Sequence, residues 1–448
     1  MVPAVGTRRP PTGDSLIPLR TTSRPRLRAA LLALLLVITV TGCQDGSGPP
    51  TEDGPVQLSV FWYGNQRRAQ LTEQALQAYT RKHPKVTFRV TWQGVDGYYQ
   101  RLATQAAGGN PPDLFQLDED YLAQYAQRQI ALDLTEFVDH GRIDLSRLSP
   151  SLVQYGTVDG RVMAVAAAEN TPALIFNRSL LRRLGLDEPS PDMTYEEYVQ
   201  WARQVTLRSN GRVAGTMDPS ADIRALWVWL RAGGVEFYRG QQLGFTVTDL
   251  ARWFEFWQDA RIQRATPAAA VVQPANSPDP TRQLVVTGRT AASIAWSHQL
   301  GEMQRNTTDQ LGITALPGAA NAQWARASMY WGAYRGTRHA TVVADVINFL
   351  TNDPEAGRIL GDERGLSANI DIRQSVLESL DDPAAKLSAM FETGMSERFG
   401  PAPPPPPPGH DQVRTLLRTA AEKAQSGRET SRAAAAEFVQ EANAVLAG

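Results

Sequence analysis

Between Leu58 and Leu117, apolar runs of strand length alternate with amphipathic helical stretches, and that alternation leaves few folds open. Leu58, Val60, Phe61 and Trp62 form a short apolar run, Leu71, Ala75, Ala78 and Tyr79 share one helical face, and Val86, Phe88, Val90 and Trp92 repeat at period two. Residues 98–107 are helix-like, the turn Gly108-Gly109-Asn110-Pro111-Pro112 ends them, and Leu114-Phe115-Gln116-Leu117 is strand-like again. Strands that alternate with helices predict an α/β fold with a parallel sheet covered on both faces. Ligands of such sheets sit beyond the carboxyl ends of the strands, so Trp62-Tyr63-Gly64 and Asp118-Glu119-Asp120 fall where a ligand would bind.

The N-terminal part predicts where this fold works. The apolar run 29–40 is too short to stay across a membrane, and Arg20, Arg24, Arg26 and Arg28 precede it, as in a signal peptide. Val40-Thr41-Gly42-Cys43 resembles a lipobox, in which the cysteine receives a diacylglyceryl group before cleavage. Cys43 is the chain's one cysteine, so no intramolecular disulfide competes for it. Two acyl chains hold a protein stably where one is marginal. We therefore expect residues 1–42 to be a lipoprotein signal peptide and Cys43 to be the lipid anchor. Residues 43–56, rich in Asp, Gly, Ser and Pro, would form a flexible linker, and the folded part would be tethered to the extracytoplasmic face of the cell membrane.

Removal of residues 1–42 leaves 39 of the 45 Lys and Arg and 45 of the 46 Asp and Glu, a net charge of −6 with histidine neutral. That balance argues against nucleic acid as a partner. The roughly 400 residues after Cys43 exceed what a single core holds and predict two lobes.

Several motifs in order carry a family resemblance: the strand ending Trp62-Tyr63-Gly64, the run Tyr79-Thr80-Arg81-Lys82-His83-Pro84, and Leu102 to Leu114 with its Gly-Gly-Asn-Pro-Pro-Asp turn. Leu132-Asp133-Leu134, Ala173-Leu174-Ile175-Phe176-Asn177-Arg178, Thr194-Tyr195-Glu196-Glu197, Ala315-Leu316-Pro317-Gly318 and Tyr330-Trp331-Gly332 continue it. The chain resembles the extracellular solute-binding proteins of family 1, the maltose-binding-protein-like sugar receptors of ABC importers. The resemblance implies a two-lobed periplasmic-binding-protein-like α/β fold of type II, with the ligand cleft between the lobes. On that pattern, residues 57–167 and 317–369 make lobe one and residues 168–316 and 370–448 make lobe two. It implies a monomer that takes a carbohydrate ligand, meets ABC transporter permease subunits, and uses no cofactor or metal.

Candidate ligand-binding residues follow from the strand-end loops and from this pattern. Lobe one offers Trp62, Tyr63, Asp118 and Glu119, and the first crossing between lobes offers Glu169 and Asn170. Trp296 ends an apolar strand, where the family places a ring for stacking on sugar, and Tyr330 and Trp331 follow the second crossing. An indole face suits the C–H face of a pyranose, while carboxylates and amides bond its hydroxyls. Trp227, Trp229, Trp253 and Trp257 stand open between cleft and core. Trp253 and Trp257 flank Phe254 and Phe256, more rings than one narrow helical face hides. Thr194 and Glu197 form a capping box ahead of a stripe of Tyr195, Tyr198, Val199, Ala202 and Val205, which is read as core. Arg364 is read as a surface ion pair, and the prolines at 403–408 as an extended spacer.

Enzymatic readings are weaker. Asp118, Asp120 and Glu169 could serve as the paired carboxyls of a glycoside hydrolase. The histidines His83, His140, His298, His339 and His410 show no metal-ligand spacing, and no nucleophile elbow or phosphate loop occurs. A binding protein is therefore expected rather than an enzyme, with a sugar-sensing lipoprotein as the alternative.

Overall fold

The computed structural model describes residues 54–276, 279–318 and 320–448. Cys43 and the signal-like run lie outside the described residues. Among the described residues, no helix is long and apolar enough to cross a membrane.

Strand Val56–Tyr63 runs parallel to Val86–Gln93 along its full length and to Leu114–Leu117 at Val60 and Phe61. Central strands of a covered sheet read as nearly continuous apolar runs. Val56–Tyr63 and Leu114–Leu117 follow that rule and are almost wholly buried, whereas the edge strand Val86–Gln93 keeps the polar alternation its sequence shows. Helix Gln66–Lys82 begins at Asn65, whose side chain accepts from Arg68 N at 2.8 Å.

The three strands read from the sequence are parallel as expected, and the sheet as a whole is mixed. Strand Arg326–Ala333 returns from the second half of the chain and inserts antiparallel between Leu114–Leu117 and Val165–Asn170. Leu366–Ser367 closes the far edge, giving six strands. A strand that arrives after a long excursion is not bound by the right-handed crossover that makes sequential strands parallel. Gly365, just before that edge strand, has φ +117° and could carry no Cβ, which would fall 2.2 Å from the Glu169 carbonyl oxygen.

A second sheet has three strands, with Pro172–Asn177 central and antiparallel to both Ala292–Trp296 and Leu311–Thr314. The chain passes from the first sheet to the second at Thr171 and returns between Thr314 and Arg326. The buried side chain of Gln323 binds these two passages together. Its amide donates to Pro172 O at 2.7 Å and accepts from Leu316 N at 3.1 Å.

Helices clothe the second sheet. Tyr195–Arg208 carries the expected capping box, with both reciprocal bonds between Thr194 and Glu197, and buries Tyr195, Tyr198, Val199, Ala202 and Val205. Val247–Ile262 buries Trp253, Phe254 and Trp257 and leaves only Phe256 half-buried. It can do so because it is covered on more than one side: the C-terminal helices His410–Gln425 and Ser431–Ala447 pack on each other and both pack on it. The proline run before them forms neither helix nor strand, with Pro403 and Pro406 buried and Pro404 exposed.

Candidate functional site

The loops at the ends of strands from the two sheets converge on one side chain, Arg326. It sits at the start of strand Arg326–Ala333, paired in register with Asn170. Its guanidinium forms an ion pair with Glu119, lies 3.9 Å from Asp118, and stands over the Trp296 ring at 4.1 Å from the centroid. Asp118 and Glu119 follow strand Leu114–Leu117 of the six-stranded sheet, and Trp296 ends strand Ala292–Trp296 of the three-stranded one. One residue therefore joins acidic groups from one sheet to an aromatic ring from the other.

The neighbours extend this wall. The Tyr63 hydroxyl donates to Asp118 at 3.3 Å. Arg224, at the start of helix Ile223–Ala232, also lies over the Trp296 ring, 4.5 Å from the centroid, and pairs with the N-cap residue Asp222. Asp120 is held by His410 at 3.2 Å and Arg414 at 2.6 Å, both on the C-terminal helix. Burial alone would raise Asp120, but Arg414 and His410 overcome it and hold the carboxyl well below the usual carboxylate range. Burial, and then the Asp120 charge, raise Asp118 in spite of Arg326 and Arg414. Asn170 bonds His298 at 2.9 Å. Burial, then the charges of Arg68 and Arg326, lower His298 to about 3, so its ring is neutral.

Solvent reaches Trp296, Arg224, Arg414 and Asp118, whose side chain is 29% exposed. Behind them, the Arg326 Nε, one oxygen of Glu119, the Tyr330 hydroxyl and the Asn170 side-chain oxygen are buried without a hydrogen-bond partner among the described residues. Buried polar groups ordinarily find partners. The part of the wall that solvent reaches thus sets carboxylate and guanidinium groups beside an aromatic ring, and binding sites commonly combine such groups. The oxygens of Asp118, Glu119 and Asp120 also approach one another closely enough to hold a cation. Arg326 and Arg414 already neutralise that cluster, and a metal would have to displace them.

Of the residues expected from sequence, Tyr63, Asp118, Glu119, Asn170 and Trp296 come together here. Glu169 lies behind them, paired with Arg373 at 2.7 Å. Trp62, Trp227, Trp253, Tyr330 and Trp331 are instead buried. Trp62 is fully enclosed within the six-stranded sheet, and Trp331 lies beneath the Arg364 guanidinium. Trp227 packs against Phe237, Tyr238, Trp324 and His410. Trp253 packs on Trp229 and Trp257 and donates from its indole to Ser220 O at 3.0 Å. These rings are core because the helices and strands that carry them are covered on the faces they occupy. Arg364 is not a surface ion pair: it is buried and donates to Gln116 and Thr72. Sequence reasoning missed Arg326, Arg224, Asp222, Arg414 and His410, whose role depends on pairings across the two sheets that no local spacing encodes.

A groove of about 610 Å³ lies elsewhere, lined by Thr194, Tyr195, Trp229, Asp249, Arg252 and Gly318 among others. Trp229 supplies its half-buried ring, but the groove draws nothing from the six-stranded sheet's strand ends. Convergence of both sheets favours the wall around Trp296 as the ligand site.

Comparison with known proteins agrees with this architecture. Residues 74–376 match the family model described as bacterial extracellular solute-binding protein, and the chain belongs to that family. A family 1 extracellular solute-binding protein from Alicyclobacillus acidocaldarius superposes with a TM-score of 0.69 at 24% identity, covering 89% of this chain and all of that one. The oligogalacturonide-binding protein of Yersinia enterocolitica, with saturated digalacturonic acid bound, gives 0.73 at 19% identity over 87% of this chain and 98% of its own. These likenesses define the two-lobed periplasmic-binding-protein fold. The maltodextrin-binding protein MdxE of Bacillus subtilis is 20% identical over 82% of this chain and 86% of its own. A Streptomyces antibioticus protein described as an uncharacterized lipoprotein is 28% identical over 50% of this chain, and the chain spans about half of its length, 49%.

Proposed function

We propose that the protein is a lipid-anchored, extracytoplasmic receptor that captures a sugar or oligosaccharide between its lobes and delivers it to the permease subunits of an ABC transporter. The observation that carries this reading is the Arg326 junction, where Trp296 from one sheet meets Asp118 and Glu119 from the other. Trp296 would supply an apolar face, and Asp118, Arg224 and Arg414 would bond hydroxyl or carboxyl groups at the rim. Lobe one would be built on the six-stranded sheet and lobe two on the three-stranded sheet, closing by a hinge at Thr171 and the return passage. Asp120 would not serve as acid or base opposite Asp118, because His410 and Arg414 engage both of its oxygens.

A thermal-shift screen of the full chain carrying Cys43→Ser against glucose, lactose, maltotriose, mannotriose and digalacturonate tests the binding. A ligand that binds only the folded state raises the melting temperature, and the sugar is expected back unchanged. Absence of any shift across mono- and oligosaccharides, or recovery of cleaved sugar that Asp118→Asn abolishes, would defeat the reading. The anchor has its own test in the native host. The Cys43→Ser protein is expected to be released or retained as uncleaved precursor, and processing and membrane retention like the parent would contradict lipidation.

A further inference from the structure

Helix Pro383–Ser396 reaches the passage between the two sheets and packs on the turn that follows Trp296. Its buried residues Ala384, Ala385, Ser388, Ala389 and Glu392 lie at helical spacing, and Glu392 is the one charged group among them, 1% exposed. Its carboxylate accepts from three donors: Thr171 N at 2.6 Å, Thr171 Oγ1 at 2.8 Å, and the Ser297 hydroxyl. Ser388, one turn earlier, donates to Ser297 O at 2.8 Å, and Ser297 N donates to Thr171 O at 3.0 Å.

Thr171 is the residue at which the chain leaves the six-stranded sheet for the three-stranded one, and Ser297 directly follows Trp296. An apolar side chain in its place would leave the Thr171 and Ser297 hydroxyls buried without this acceptor, and only the direct bonds between the two residues, Ser297 N to Thr171 O at 3.0 Å and Thr171 N to Ser297 Oγ at 3.3 Å, would remain. A side-chain carboxyl bonded to all three fixes their separation closely.

We infer that Glu392 is a positioning residue for ligand capture: it ties the lobe crossing at Thr171 to Ser297 and thereby sets the place of the Trp296 ring relative to the hinge. The inference rests on the proposed interlobe site, but its mechanical half is independent of any sugar. Loss of the tie lets the crossing and the Trp296 loop move separately, so the lobes sample a wider range of separations and the ring is less often in its binding position.

The test uses the full chain carrying Cys43→Ser, with spin labels on Thr104→Cys in lobe one and Arg203→Cys in lobe two, both exposed positions. Pulsed dipolar spectroscopy reads the interlobe distance distribution, and calorimetry with maltotriose, mannotriose and digalacturonate reads affinity. Glu392→Ala is expected to broaden the distribution and to weaken binding about tenfold. Glu392→Gln, which keeps the shape and one carbonyl acceptor, is expected to recover most of both. Adding Glu392→Ala to Thr171→Val with Ser297→Ala should cost less than it does alone, because two of its three donors are already gone.

A Glu392→Ala protein with a parent-like distribution and affinity, changed only in melting temperature, would overturn the inference. If that variant does not fold, Thr171→Val with Ser297→Ala, which removes two of the three donors, carries the same comparison, and a parent-like distribution and affinity in that protein would overturn it too. If no sugar binds the parent, the proposed function fails while the distance distributions still decide whether Glu392 governs the hinge.

Discussion

Replacing Arg326 by methionine is expected to destabilise the folded protein by about 3–5 kcal/mol, the cost of leaving a buried charge without its partner. Arg326 is 4% exposed, and the Glu119 side chain that it pairs with is 8% exposed. The methionine would fill much of the volume and could still touch Trp296. It could not neutralise Glu119, whose carboxyl is raised to about 7 by burial and then by the Asp118 and Asp120 charges even with Arg326 in place, so the loss is expected to be fullest above neutral pH and to shrink as Glu119 takes up a proton. Lysine is expected to rescue only in part, since a compact ammonium lacks the planar face that lies on the indole and the fork that spans two carboxylates. Urea denaturation of Arg326→Met, Glu119→Gln and the double variant checks the argument. The double variant should be more stable than Arg326→Met alone, because the unpaired charge is then gone. Additive losses, or a loss below about 1 kcal/mol for Arg326→Met, would show that the pair is as weak as an exposed one.

The second large effect belongs to a ring that is fully buried. Trp253→Ala is expected to cost about 3–5 kcal/mol by opening a cavity among Trp229, Trp257 and Tyr195. The loss also strips the indole donor from Ser220 O, whose side chain is itself bonded by Gln425 of the C-terminal helix. The damage should therefore spread to the packing of His410–Gln425 on the lobe. Affinity measured on the protein that remains folded should change little. A Trp253→Ala protein as stable as the parent but unable to bind sugar would return this ring to the cleft.

What sequence could and could not reveal divides along physical lines. Period-two and period-3.6 patterns locate the strands and helices because local burial repeats with local geometry, so Val56–Tyr63, Val86–Gln93 and the capped helix Tyr195–Arg208 are legible. Asp118 and Trp296 are legible as site candidates because both end strands, where α/β folds present ligands. The direction of Arg326–Ala333 is not, since antiparallel insertion follows from a return passage far along the chain. Nor can a sequence sort one tryptophan from another, because an indole suits a sugar face and a core equally well. The difference between Trp296 and Trp253 is made by what covers each. Trp253 is enclosed by Tyr195, Trp229 and Trp257, whereas Trp296 stands half-open at a strand end with two guanidinium groups over its ring. Arg224 and Arg326 are hidden for the same reason: an arginine near a helix start or strand start is ordinary until the fold brings it onto that ring.

Calorimetric titration of Trp296→Ala and Asp118→Ala with the sugar that gives the largest thermal shift tests whether ligand is held where Trp296 meets Asp118 across the two lobes. Each variant, shown to be folded by circular dichroism, is expected to lose about 1–3 kcal/mol of binding free energy, roughly a fivefold to hundredfold weakening. Binding of both variants with the affinity of the parent would contradict that placement.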